Sequence, residues 1–384
     1  MPAISPALLE AAESRLDQII ADIQTLVEVE TPSDDKDAVA EGAAVVADLI
    51  AARLGLEAEP VVVDDVTHLR LRVGTEKPKV VVVTHQDTVW PTGTLARKPF
   101  SNDGHTLRGP GVFDMLTGLA MAIHAAKLLQ DSGHSLYGLS IMVTGDEELG
   151  SVTSRDLLLE ESAEARAAFV MEGALDTSLK IARKGTSNYT VAVHGVAAHA
   201  GLDPEKGVNA GISLGLLLPQ IAALGDPTVG TTVTPTVMRA GTTTNTVPDY
   251  AEVVVDARAA TIAEQERVDE QIRALRSEVE AAEVEVTGGV NRPPMERSSS
   301  ELLFNRAQQV AAALGAGELT GEAVGGASDG NFTAAAGIPT LDGIGACGAG
   351  AHAEHEHALV EHIAPRTALL AGLIAAHLDP PAVG

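Results

Sequence analysis

The chain has 384 residues, with 26 Lys plus Arg against 53 Asp plus Glu and a formal net charge of −27. A surface that acidic repels phosphate backbones and anionic lipid, so neither nucleic acid nor a membrane surface is expected as a partner. Apolar residues make up 45% of the chain, enough for a large core in one or two domains, whereas aromatics are only 2% and leave few platforms for base stacking.

The single cysteine, Cys347, cannot close an internal disulfide and fits a reducing compartment. Residues 1–9 show no basic region followed by an apolar run, and no later stretch is read as reaching the about 20 apolar residues of a membrane helix. The expectation is a soluble, cytoplasmic protein whose excess acid serves solubility.

Ser5-Pro6 followed by Leu8, Leu9, Ala12, Leu16, Ile19, Ile20 and Ile23 predicts a capped helix with proline at its first position. A second helix is predicted from Val39 to Leu54, stopped by Gly55. The period then changes, and Val61 to Val63, Leu69 to Val73 and Val80 to Val83 read as strands, the last one buried. A helix beginning near Asp114, a strand Leu139 to Val143, a helix Ser151 to Leu159 and a strand Ala168 to Met171 alternate after that. Such alternation predicts a layered α/β domain with a mostly parallel sheet and helices on both faces, its chemistry at the strand C-termini.

After Gly185 the texture shifts to strands at Thr190 to His194, Thr231 to Met238 and Ala251 to Ala257, around helices Val208 to Leu224 and Ile262 to Ala282. A β-α-β-β-α-β order of this kind suggests a ferredoxin-like α+β insert. Residues 1–184 and 293–384 would then form one domain, interrupted by 185–292. Helices Leu302 to Leu314 and Pro365 to Leu378 would complete the first domain.

Polar residues gather where these strands end. His85 and Asp87 follow the Val80 to Val83 run, where a histidine can ligate a metal through one ring nitrogen while a nearby aspartate orients the ring, or where the pair simply forms a polar turn. Asp114 follows Gly109-Pro110-Gly111 at a helix start, a position equally suited to an N-cap. Asp146-Glu147-Glu148 are three acids at a strand end, tolerable when buried only if a cation or shared proton offsets them. Glu172 ends another strand, and His352, His355 and His357 crowd a late loop. Two histidines and three carboxylates at the ends of one sheet suit two divalent ions sharing a bridging carboxylate. Gly343-Ile344-Gly345-Ala346-Cys347-Gly348 also fits a dinucleotide fingerprint, but no βαβ unit follows it.

The ordered set His85-x-Asp87, Gly109-Pro110-Gly111-x-x-Asp114, Asp146-Glu147-Glu148-x-Gly150-Ser151, Glu172 and His352-x-x-x-Glu356 resembles the di-zinc metallopeptidases that include glutamate carboxypeptidase, aminoacylase, acetylornithine deacetylase and succinyl-diaminopimelate desuccinylase. The resemblance spans nearly the whole chain. It implies that His85 and Glu172 hold one metal, that Glu148 and His352 hold the other, and that Asp114 bridges them. Zinc is the expected ion, with cobalt or manganese accepted by the same donors. It further implies that Asp87 orients His85 and that Glu147 is the general base.

In the insert, Gly195 to Gly201 and Pro204 to Ala210 resemble the family's dimerisation, or lid, domain, which implies a homodimer in which His199 stabilises the oxyanion in the partner's site. Asn245, Arg292, Gly325 and Gly326 resemble substrate contacts, and Arg292 suits a substrate α-carboxylate. One departure is Met115-Leu116-Thr117-Gly118, where relatives commonly carry a lysine or second acid followed by glycines.

The implied activity is hydrolysis of an amide bond N-terminal to a residue with a free α-carboxylate, in the manner of glutamate carboxypeptidase. Acyl-amino-acid deacylation and dipeptide hydrolysis are the alternatives within the family, and a non-catalytic binding protein is the alternative outside it.

Overall fold

The computed structural model describes residues 4–74 and 76–378. The chain divides into two compact units, one built from Met1–Ala182, Arg297–Val324 and Ser328–Gly384, the other from Arg183–Glu296 with Gly325–Ala327. Sequence order alone had placed those three residues in the first domain.

In chain order the first unit begins with helices α1 (Pro6–Glu13), α2 (Leu16–Val27) and α3 (Lys36–Leu54). The apolar stripe that suggested one helix is two, because the backbone leaves helical geometry at Arg15 (φ −107°, ψ 2°), next to Ser14, whose hydroxyl donates to the Ala11 carbonyl. Helix α3 is capped by the Asp35 side chain on the Ala38 N–H and ends at Gly55, whose φ of 66° is left-handed. Strands β1 (Glu59–Val63), β2 (Val66–Arg72) and β3 (Val80–His85) follow, then α4 (Thr117–Asp131), β4 (Leu139–Thr144), α5 (Arg155–Ser162) and β5 (Ala167–Val170).

The second unit carries β6 (Gly185–His194), α6 (Ala210–Ala222), β7 (Thr232–Ala240), β8 (Tyr250–Ala259), α7 (Ile262–Arg273) and β9 (Glu283–Arg292). Helices α8 (Arg297–Leu314) and α9 (Gly330–Ala335), strand β10 (Thr340–Leu341) and helix α10 (Ile363–Leu378) return to the first unit.

The main sheet has the order β1-β2-β4-β3-β5-β10. Strands β4, β3, β5 and β10 run parallel, and β2 and β1 add an antiparallel edge. Every residue of β3 and β4 is buried. Val80 and Val82 face the large core with α4 and α10, whereas Val81 and Val83 face a smaller cluster with Leu158 of α5. A continuous apolar run is what a strand covered on both faces requires.

Among the described residues one segment, Val112–Asp131, is long and apolar enough to cross a membrane, contrary to the sequence expectation. It is a core helix instead, with 89% of its apolar window buried inside the protein.

In the second unit an antiparallel sheet of order β7-β8-β6-β9 packs α6 and α7 over a core that includes Tyr189, Val191, Leu217, Val253 and Val268. Helix α7 stops at Arg273 rather than Ala282. The Ser277 hydroxyl both donates to the Val279 carbonyl and accepts its N–H, and Ala281 takes a φ of 62°, so the stretch beyond is a turn leading into β9.

Candidate metal centre

The parallel strands β3, β4 and β5 deliver their C-terminal ends to one edge. His85 is the last residue of β3, paired in register with Thr144 of β4, and Glu172 lies just past β5. Because β3 is buried on both faces, His85 is only 2% exposed. Its Nδ1 bonds the backbone carbonyl of Asp87 at 2.9 Å, which makes Nδ1 the protonated nitrogen. In the neutral ring the lone pair of Nε2 then faces Asp114 Oδ1 at 3.3 Å and Glu172 Oε1 at 3.6 Å, and among the described residues no hydrogen bond satisfies that buried atom.

The other oxygen of Asp114 lies 3.4 Å from His352 Nε2, which is 3.0 Å from Glu148 Oε1. Two groups of donors result, His85-Asp114-Glu172 and Asp114-Glu148-His352, with the donor atoms of each group within 4.8 Å of one another. Asp114 belongs to both and presents one oxygen to each histidine. A buried imidazole nitrogen without a partner, surrounded by carboxylates and nitrogen donors, fits a divalent cation of the zinc, cobalt or manganese type.

The electrostatics point the same way. Burial pushes the His85 imidazole down, yet Asp114, Asp87 and Glu172 outweigh it and hold the ring well above its ordinary value. Asp114 and Glu148 raise His352 to about 10. Burial, reinforced by the Asp114 charge, lifts Glu148 above the usual carboxylate range. Burial acts on Asp114 too, but the two histidines outweigh it and hold Asp114 below that range. Carboxylates outnumber imidazoles here, and the site draws positive charge toward itself.

Asp87 does more than orient His85. Its carboxylate stands 3.5 Å from His85 Nδ1 and accepts from the Ser33 hydroxyl at 2.7 Å and from the backbone N–H groups of Glu147 and Glu148 at 3.2 Å each. Burial opposes its ionisation, yet His85 and those bonds pull Asp87 below its ordinary value. Asp87 thus fixes the turn that carries Glu147, which is 7% exposed, and Glu148.

Asp146 braces the far side of that turn by accepting from the Thr153 N–H and hydroxyl at 2.6 and 2.8 Å and from the Ser154 hydroxyl. His68 completes the frame. Its Nδ1 accepts from the Gly145 N–H at 3.1 Å, so its Nε2 donates to Thr153 Oγ1 at 3.0 Å, and burial keeps its pKa low. Sequence reasoning missed His68, Ser33 and the brace function of Asp146, since their partners are backbone groups and hydroxyl or carboxylate side chains far apart in the chain or without a motif of their own.

The remaining candidates lie in the second unit. His199 is exposed, and its Nδ1 accepts from the N–H groups of Gly201 and Leu202 at 3.1 Å each. Asn245 is exposed and accepts the Ala200 N–H on its backbone carbonyl. Arg292, near the end of β9, is 7% exposed, with Gln265 Nε2 donating to its carbonyl at 3.0 Å. The carbonyls of Gly325 and Gly326 accept from Arg258 and Arg183. Arg258 itself pairs with Asp256.

His355, His357 and Cys347 join neither donor group, and Cys347 is 1% exposed, with burial raising its thiol. The glycine-rich stretch around Cys347 has a packing reason. A Cβ on Gly345 would stand 2.0 Å from the Met171 carbonyl oxygen, and one on Gly118 at 2.1 Å from the same atom. Both glycines let chain segments close on the end of β5, beside Glu172.

The model of peptidase family M20/M25/M40 matches residues 81–376. Carboxypeptidase G2 of Pseudomonas sp. strain RS-16 is 29% identical over 386 residues, covering 96% of this chain and 91% of that protein. Aminopeptidase PepT of Bacillus cereus superposes with a TM-score of 0.74 at 22% identity, covering 95% of this chain and 99% of that one. The YxeP protein of Bacillus subtilis, described as a dinuclear metal-binding peptidase, superposes with a TM-score of 0.66 at 16% identity, covering 96% and 99%.

Proposed function

The chain belongs to the peptidase family M20/M25/M40, and within that metallopeptidase family we propose that it is a di-metal hydrolase cleaving the amide bond N-terminal to a residue with a free α-carboxylate, with a glutamate preference. The observation that carries this reading is the pair of donor groups sharing Asp114. His85 and Glu172 would hold one ion and Glu148 and His352 the other, with Asp114 common to both. Two divalent ions there supply Lewis acidity toward the scissile carbonyl and a water acidified to near neutral pH.

The protein's own residues do the rest. Glu147, set by its backbone bond to Asp87, takes the proton of the attacking water and passes it to the departing amine. His199 has its Nδ1 occupied by backbone donors and its Nε2 available to donate, which suits stabilisation of an oxyanion by the partner subunit's His199. Arg292 supplies the guanidinium that pairs with the α-carboxylate, the group an acidic chain must provide locally to receive an anion.

A homodimer through the second unit is supported by exposed apolar side chains there: Val237 and Met238 on the edge strand β7, and Ile212 and Leu216 on α6. The lone, buried cysteine fits a cytoplasmic enzyme.

A panel of N-acyl amino acids and short peptides differing only in the C-terminal residue, run with metal analysis, tests the reading. Release of the C-terminal residue with glutamate ahead of apolar residues is expected. Equal rates across acidic and apolar residues would remove the glutamate preference, and two bound metals without hydrolysis would make the chain a binding protein. A strictly monomeric preparation with full activity would remove the role of His199 in trans.

A further inference from the structure

Glu356 has no part in the chemistry above, yet its carboxylate accepts four hydrogen bonds beside the centre. It is 1% exposed. One oxygen accepts from the N–H groups of Phe113 at 2.9 Å and Asp114 at 3.2 Å, and the other accepts from the Gly111 N–H at 3.1 Å and from the indole N–H of Trp90 at 2.7 Å. Three of these four donors are the backbone of the segment that carries Asp114. Glu356 itself sits on the loop of His352, where the N–H of Ala353 bonds the Gly350 carbonyl and the N–H of Glu356 bonds that of Ala353. The same loop is held from outside by Lys98, whose ammonium reaches the Ala353 carbonyl at 3.1 Å and lies 4.0 Å from the centre of the Trp90 ring.

We propose that Glu356 is a positioning residue that sets Asp114 and His352 as one unit, and that Trp90, bonded to the same carboxylate, registers metal binding at the centre. The physical reason is the acceptor count. An ionised carboxylate offers lone pairs enough for four donors and makes charge-assisted bonds, whereas an amide in its place offers one oxygen and turns an NH2 toward backbone N–H groups. Loss of the carboxylate frees the Asp114 segment from the His352 loop, and the two donors that complete the second group no longer share a common anchor. Trp90 is the only tryptophan of the chain, so its emission is not mixed with any other indole.

The inference rests on the metal-centre reading, and its test separates the two. Wild-type protein is stripped with a chelator and titrated with zinc, while bound metal and Trp90 emission are followed together. A wild type that binds no metal sinks the reading of the centre itself. Where metal binds, Trp90 emission is expected to change with it, and silent emission overturns the coupling.

Glu356→Gln is expected to bind the second ion at least about tenfold more weakly, the scale on which supporting residues act, and to lose kcat with KM within about twofold. A folded Glu356→Gln that binds both ions and turns over like wild type, even with a lowered Tm, overturns the proposal. If that variant does not fold, Trp90→Phe decides: it removes one of the four donors and is expected to weaken the second ion by a few-fold at an unchanged Tm, and wild-type metal affinity in it overturns the proposal.

Discussion

Two histidine–carboxylate clusters among the described residues of the first unit are built to opposite plans. At the centre, His85 and His352 face Asp114, Glu148 and Glu172, and the buried Nε2 of His85 has no hydrogen-bond partner among the described residues. On α2 and α4, His124 bonds Asp22 at 2.7 Å, and Arg53 of α3 closes on both oxygens of Asp22 at 2.7 and 2.8 Å. The second cluster supplies its own cation and ties three helices together. The first leaves carboxylates in excess and an acceptor nitrogen aimed into them. A buried ionic group that balances its own charge is a structural pin; one that leaves a deficit of positive charge is a receptor for a cation.

The contrast can be broken most sharply at Glu147. Glu147→Gln is expected to keep both metals and lose about 100- to 10,000-fold in kcat, the usual worth of a general base. Near-normal turnover would remove that assignment. Next in size, His85→Ala should lose metal affinity by more than the about 10- to 100-fold that a supporting residue costs. Dialysis of the wild type against a chelator should abolish turnover, and return of zinc, cobalt or manganese should restore it.

At the balanced cluster the expectation reverses. Asp22→Asn should cost about 2 kcal/mol of stability, below the range for breaking a fully buried pair because Arg53 is partly exposed, and leave metal content and kcat unchanged. Loss of metal in that variant would erase the distinction between the clusters. Burial alone would raise Asp22, but Arg53 and His124 hold it at about 2, below the 3.8 of the unfolded chain. Its stabilisation is therefore complete above about pH 4 and lost as pH falls toward 2, and urea titrations should show that slope in wild type and not in Asp22→Asn. The smallest effect is expected from Arg53→Lys, about 1 kcal/mol, since the charge stays and the two-pronged bond is lost.

Several donors of the centre were legible in the sequence because apolar runs announce buried strands and the polar residues at or just past their ends have distinctive chemistry. His85, Glu172 and the Asp146-Glu147-Glu148 turn are of that kind. What stayed illegible depends on the backbone. Glu356 stood in a motif, but its role is defined by three N–H donors that every residue type except proline carries, and the second task of Asp87 is likewise to accept from the backbone of Glu147 and Glu148. The end of α7 was missed because Glu280-Ala281-Ala282 reads as helix, while the turn is made by a Ser277 side chain bonding locally. The apolar stripe across Ser14 was continuous, and a single non-helical residue, Arg15, divides it.

The Met171 carbonyl, approached by Gly118 from one side and Gly345 from the other, carries a consequence for anyone who would alter specificity by directed evolution. A methyl at either glycine would displace the peptide that leads into Glu172, so libraries aimed at the substrate pocket should hold both codons invariant.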